Sequence, residues 1–235
     1  MSLLTICQQA APLIGVQKPL IVAAATDPTV MLLFALAQQE GEELARYGDW
    51  RVLRKEKTFT TVFAETQTDT PLPADLDAII DQTVWNRSAR RPLYGPVDAA
   101  QWQQWKAGST FPVTDSFTLR GASWLMGPVP AAGQTISYEY RSAYWCQSSG
   151  GTAKAAWTAD TDTALISERL MRLGIVWRFK KRRGLEWQSD HESYLNEVDG
   201  DLAADRPRKV IDLKNGGPPV RYPGITVPDG TWAVP

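Results

Sequence analysis

The side chains able to do chemistry in this chain are few and scattered. His191 is the only histidine, and histidine is the residue type whose ordinary pKa lies nearest neutrality. It stands four residues from both Trp187 and Leu195, so it reads as a packed, hydrogen-bonded member of a helical stripe rather than a general base. Cys7 and Cys146 lie far from each other and from His191 in sequence. A metal centre needs about three or four clustered ligands, so no metal site is expected. The thiols read as two small buried side chains in a reducing compartment, with a disulfide left open. Asp75, Asp77 and Asp81, or Asp160 and Asp162, could supply a carboxylate pair for glycosidic cleavage or a cation site. Local explanations fit better. Asp75 falls in a proline-bracketed turn, and Asp160 and Asp162 precede a helical pattern, where caps and the helix dipole favour aspartate. No nucleophile-elbow, Walker or dinucleotide-binding pattern occurs, and Ser148-Ser149-Gly150-Gly151-Thr152 lacks the lysine and helix that a phosphate loop requires. Those glycines read as a linker. The chain is expected to have no catalytic residues and no cofactor, and not to be an enzyme.

Two other features invite binding readings. Arg178, Lys180, Lys181, Arg182 and Arg183 form the one strongly basic run, broken only by Phe179. It sits at a predicted helix C-terminus, where cations are favoured, with Glu186 and Asp190 close behind. A solvated, intersubunit or tail-facing surface fits it better than a nucleic-acid site. Ten tryptophans are present, five of them (Trp85, Trp102, Trp105, Trp124, Trp145) in the middle of the chain. Exposed aromatic platforms bind sugars, so a carbohydrate-binding module or a tail-associated glycan hydrolase stands as the alternative reading. Tryptophan is also a core filler and an interface anchor.

The elements that must position these residues divide by period. At the start, Ser2 caps a helix with Leu3, Ile6, Cys7, Ala10 and Ile14 on one face and Gly15 as its stop. Asp27 and Pro28 open a second helix carrying Val30, Leu33, Phe34, Ala37, Gly41, Leu44 and Gly48. From about residue 50 to 146 the period shifts towards two. Strands are predicted over 58–63, 116–120 and 134–145, arranged as a short antiparallel meander, with a brief helix near 97–107. A third helix is predicted from Thr161 or Asp162 to Arg183, closed by Gly184, and a fourth from 185 to about 198. The fold class is therefore α+β: an antiparallel helical bundle formed from both ends of the chain, with an inserted small antiparallel β-rich domain and an extended C-terminal tail. The divisions are 1–50 and 152–200 for the bundle, 51–151 for the insertion and 201–235 for the tail.

Composition limits the partners. The 235 residues carry a formal charge of −1, which gives no reason to expect nucleic-acid or anionic-membrane affinity. The apolar stretches at 20–25 and 30–37 fall far short of the roughly 20 residues that span a bilayer, and residues 1–5 lack the basic start of a secretory leader. Synthesis and retention in a cytoplasm are expected. Residues 206–235 fit no regular element, yet they hold Val210, Ile211, Leu213, Val220, Tyr222, Ile225, Val227 and Trp232 among their prolines. That is more apolar material than a solvated linker tolerates, so this tail is expected to dock on a partner.

The phrase Leu33-Phe34-Ala35-Leu36-Ala37-Gln38-Gln39-Glu40-Gly41-Glu42-Glu43-Leu44-Ala45-Arg46, followed by Asp49-Trp50, resembles bacteriophage head-to-tail adaptors, also described as tail accessory or head-completion factors. Thr58-Phe59-Thr60-Thr61, Thr83-Val84-Trp85-Asn86-Arg87, Arg91-Pro92-Leu93-Tyr94-Gly95-Pro96 and Gly174-Ile175-Val176-Trp177-Arg178 continue the likeness, which covers about residues 1–200. The resemblance implies a structural protein of the virion neck. It also implies about twelve neighbouring copies in a closed ring beneath the portal protein ring, joined below to a downstream tail or nozzle protein. The C-terminal tail would climb onto the portal, and DNA would transit the channel without sequence-specific binding. No membrane partner is implied.

Overall fold

Local capping explains where the helices begin. The structure, a computed structural model, describes residues 2–69, 71–108 and 114–205. Helix α1 (Leu3–Ala10) starts where the Ser2 hydroxyl accepts from the Thr5 amide, and buries Leu3, Ile6, Cys7 and Ala10. A 3-10 turn (Ala11–Ile14) takes up Pro12, and the left-handed Gly15 ends it. Helix α2 (Pro28–Tyr47) starts where the Asp27 carboxylate accepts from the amides of Thr29 and Val30 at 2.7 and 3.1 Å. The brief predicted helix is α3 (Ala99–Ala107), capped by Asp98.

The third predicted helix starts later than the sequence suggests. Helix α4 is Glu168–Arg183, and neither Asp160 nor Asp162 caps it. The Asp160 carboxylate instead accepts from the amides of Val22 and Ala23, holding the loop between α1 and α2. Asp162 accepts from the amides of Thr158 and Ala159 and from Lys154. A carboxylate accepts from any cluster of orphan amides, and these loops supply them as readily as a helix end does. Helix α5 (Gln188–Asp205) extends past residue 198 because Leu202 is buried beyond Tyr194 and Val198 on the same stripe.

The strands pair across long sequence distances, so the meander expectation is corrected. Strand β8 (Thr135–Ser142) pairs along its whole length with β1 (Arg54–Thr60), from Arg54 opposite Arg141 to Thr60 opposite Thr135. Its other side takes β3 (Leu76–Ile79) and β4 (Trp85–Asn86), and β4 carries β5 (Arg91–Pro92). A second sheet has the order β2-β7-β6, built from Thr66–Gln67, Ser123–Gly127 and Ser116–Arg120; the hairpin β6-β7 is its sequential pair. Strands β9 (Cys146–Gln147), β10 (Ala153–Lys154) and β11 (Thr163–Ala164) make the third. The Ser148–Thr152 stretch is the turn between β9 and β10, closed by the Ser148 amide on the Thr152 carbonyl, and not a linker. All pairings between these strands are antiparallel, and the fold is α+β.

Three apolar clusters result among the described residues, two large cores and a small one of Val97, Trp102 and Leu125. Leu3, Leu33, Leu44, Leu170, Ile175 and Val198 share one apolar cluster drawn from α1, α2, α4 and α5. Phe59, Phe117, Trp124, Ile136 and Tyr138 form the other large core, between the first two sheets. There Trp124 stacks on Phe117 at 4.5 Å and on Tyr138 at 5.1 Å between ring centroids, and meets Phe59 edge-on. No helix among the described residues is long and apolar enough to cross a membrane.

Candidate functional site

Helices α2, α4 and α5 converge on one buried charge. Glu40 is fully buried; Arg178 Nε donates to it at 2.8 Å and the Tyr194 hydroxyl at 2.7 Å. Arg178 Nη2 donates to Glu43 at 2.9 Å. The carboxylate fits because position 174 is glycine, where an added Cβ would overlap the Glu40 carboxyl. Burial holds the Glu40 pKa above the ordinary carboxylate value, and the Arg178 pair and the Tyr194 hydrogen bond pull it back only in part. Burial, with the facing Glu40, also raises the Tyr194 phenol. Glu40 has no exposed surface from which to meet a substrate, so its chemistry is to fix three helices in register.

Arg178 is thereby separated from the rest of the basic run. With 7% of its surface exposed and both its partners in its own chain, it is an internal strut and not part of a surface cluster. Lys180 pairs with Asp190 at the turn between α4 and α5. Lys181, Arg182 and Arg183 are exposed. The Lys181 ammonium lies 4.8 Å from the Trp187 ring centre, and the Arg183 guanidinium 5.4 Å from that of Phe179. His191 packs against Trp177 and Trp187, at 4.5 and 5.6 Å between centroids.

A second polar centre braces the large sheet. Asp75 accepts from Lys55 Nζ at 2.6 Å, the Ser142 hydroxyl at 2.6 Å and the Tyr140 hydroxyl at 2.9 Å. Burial alone would raise its pKa, but these three donors outweigh burial and hold it below the usual value. Tyr140 is pushed up to about 12 by burial and by its bond to Asp75. Asp77 pairs with Arg141 and Asp81 is exposed, so the three aspartates do not act as a set.

Among the described residues no group of three or more His, Cys, Asp or Glu could hold a metal ion. Cys7 and Cys146 are free and buried, and burial pushes both thiols up to about 12. Trp102, Trp124 and Trp145 are buried and offer no sugar platform. Trp85 is half-buried and lines an open cleft of about 560 Å³ together with Glu56 and Glu139, which stand opposite each other in β1 and β8. Glu56 is ion-paired with Arg87. Strand register is what joins these two glutamates, and no spacing in the sequence could have found them. Val210, Ile211, Leu213, Val220, Tyr222, Ile225, Val227 and Trp232 lie outside the described residues.

The capped helices, the long-range sheet and the inward-facing polar centres describe a scaffold. No curated protein matches the chain. The family model described as SU10 adaptor protein matches residues 1–212, taking in both large cores and every element from α1 to α5. The chain belongs to the SU10 adaptor protein family, a family of bacteriophage head-to-tail adaptors.

Proposed function

We propose that the protein is the neck component that joins the portal ring to the tail, acting as one of about twelve copies in a closed ring through which DNA passes unread. The observation that carries this reading is the family match, which runs unbroken through residue 212. The segments 1–50 and 152–200 supply the helical bundle of each copy, with α5 carrying it on to Asp205, 51–151 the inserted β-rich part, and the rest of 201–235, from residue 206, the docking tail. The tail anchors are Val210, Ile211, Leu213, Val220, Tyr222, Ile225, Val227 and Trp232. An extended chain of about 30 residues reaches on the order of 100 Å, enough to cross a neighbouring subunit, and its prolines lower the cost of ordering it there. The exposed cations Lys181, Arg182 and Arg183 support an intersubunit or tail-facing role for that end of α4.

Co-purification with the portal ring tests the reading. The full chain is expected to bind the isolated ring, and deletion of residues 206–235 to abolish binding; retention by the truncated chain sinks the docking mechanism. The cleft at Trp85, Glu56 and Glu139 favours a second reading, a tail-associated glycan site. Glycan-array binding that disappears on Trp85→Ala would support it.

A further inference from the structure

The end of the molecule where α4 stops carries an apolar groove that no element of the described residues fills. Leu20 is 87% exposed and Ile21 54%, with Leu185 at 51%. They line a depression of about 850 Å³ floored by Val30 and Phe179. The rim is cationic: Lys18 and Arg183 line it, and Arg182 adjoins Arg183 at the α4 terminus. Among the described residues none of these three cations makes an ion pair, and Asp27, the acid on this rim, is engaged in capping α2. Exposed aliphatic side chains clustered around a pocket and ringed by cations call for an occupant with apolar anchors and negative charge. Nucleic acid would use the cations but leave Leu20 and Ile21 in water, so the chemistry favours a protein segment.

The placement of this groove narrows the partner. Helix α2 runs away from it for 20 residues, about 30 Å, to Tyr47. Helix α5 runs the same way from Gln188 beside the groove end of α4, and its last residue, Asp205, accepts from the Arg51 amide just past the end of α2. The last described residue, Asp205, thus lies at the end of the helices opposite the groove, and residues 206–235 follow it in sequence. Resting on the proposed function, in which those residues bind the portal, we infer that the groove docks an acidic segment of the downstream tail protein, with its apolar side chains on Leu20, Ile21 and Leu185.

The test uses the full chain and, as separate probes, the purified downstream tail protein, the purified portal ring and duplex DNA. Wild-type protein is expected to bind the tail protein and the portal. The variant Leu20→Asp/Ile21→Asp, altered at exposed loop positions, should lose about 30-fold or more in tail-protein affinity, and Lys18→Glu/Arg183→Glu about tenfold. Both should keep wild-type portal binding and melting temperature. Unchanged tail-protein affinity in both variants overturns the inference while leaving the adaptor reading intact. Loss of self-association instead, read as mass in solution, reassigns the groove to a contact between copies and overturns it too, as does steep salt-dependent DNA binding that the charge variant removes. A wild-type chain that binds neither ring nor tail protein defeats the adaptor reading, and this inference with it.

Discussion

The helical core and the sheet core are each braced by one buried carboxylate, and the two are perturbed in opposite directions. Glu40 sits among three helices with no exposure, and its pKa is raised. Asp75 sits at the edge of the large sheet with 8% exposure, and its pKa is lowered. Both accept charged and phenolic donors. The difference is solvation: complete burial outweighs one arginine and one tyrosine at Glu40, whereas slight exposure lets a lysine and two hydroxyls win at Asp75. The same functional group therefore serves as a costly register pin in the helices and, where three donors outweigh burial, as a clasp in the sheet.

The comparison is broken most forcefully at Gly174. Gly174→Ala places a methyl on the Glu40 carboxyl and should cost about 3–5 kcal/mol, the usual loss when a buried pair is disrupted. Urea unfolding reads it. The single change Glu40→Met should also destabilise, by about 2–4 kcal/mol, because it leaves the Arg178 Nε and the Tyr194 hydroxyl without their buried acceptor while Glu43 keeps only Nη2. The double change Glu40→Met/Arg178→Met should recover much of the loss, since apolar replacement of a whole buried pair is often neutral. A double variant no more stable than the single one would remove the register-pin account. At the sheet, Asp75→Asn keeps the shape and removes the charge, so about 1–3 kcal/mol is expected.

The signs of the pH dependence sharpen the contrast. The raised Glu40 contributes stability that is present below its unfolded value of 4.5 and is lost as pH rises through its folded value. The lowered Asp75 contributes stability that is present above its unfolded value of 3.8 and is lost as pH falls through its folded value. The stability gap between wild type and Glu40→Gln should therefore narrow as pH rises above 4.5. The gap between wild type and Asp75→Asn should narrow as pH falls below 3.8. Parallel slopes would contradict the assignment. The smallest effect concerns the thiols: Cys7 and Cys146, both buried and held near 12, should resist an aromatic disulfide reagent until the chain is unfolded.

The helices of this protein were legible because their signals are local. Ser2 and Asp27 as caps, Gly15 and Gly184 as stops, and the stripes of α2 and α4 each depend on residues within one or two turns. The same locality misled at Asp160 and Asp162, where a capping residue type found its amides in a loop. The basic run was read correctly as a charged helix end. Its first member, Arg178, was not separable from the rest by sequence, because its direction depends on where Glu40 lies.

By itself, then, the sequence determined the mixed fold class, the starts of α1 and α2, the end of α4 and the membership of a phage adaptor family, all carried by short-range pattern or by the order of phrases along the chain. Tertiary structure alone decided the strand order, the Glu40–Arg178–Tyr194 pin and the apolar groove at Leu20 and Ile21. Each of these joins residues from elements far apart in the chain. Whether a charge is buried or a leucine exposed is a property of what the other elements leave uncovered, and no spacing along one segment records it.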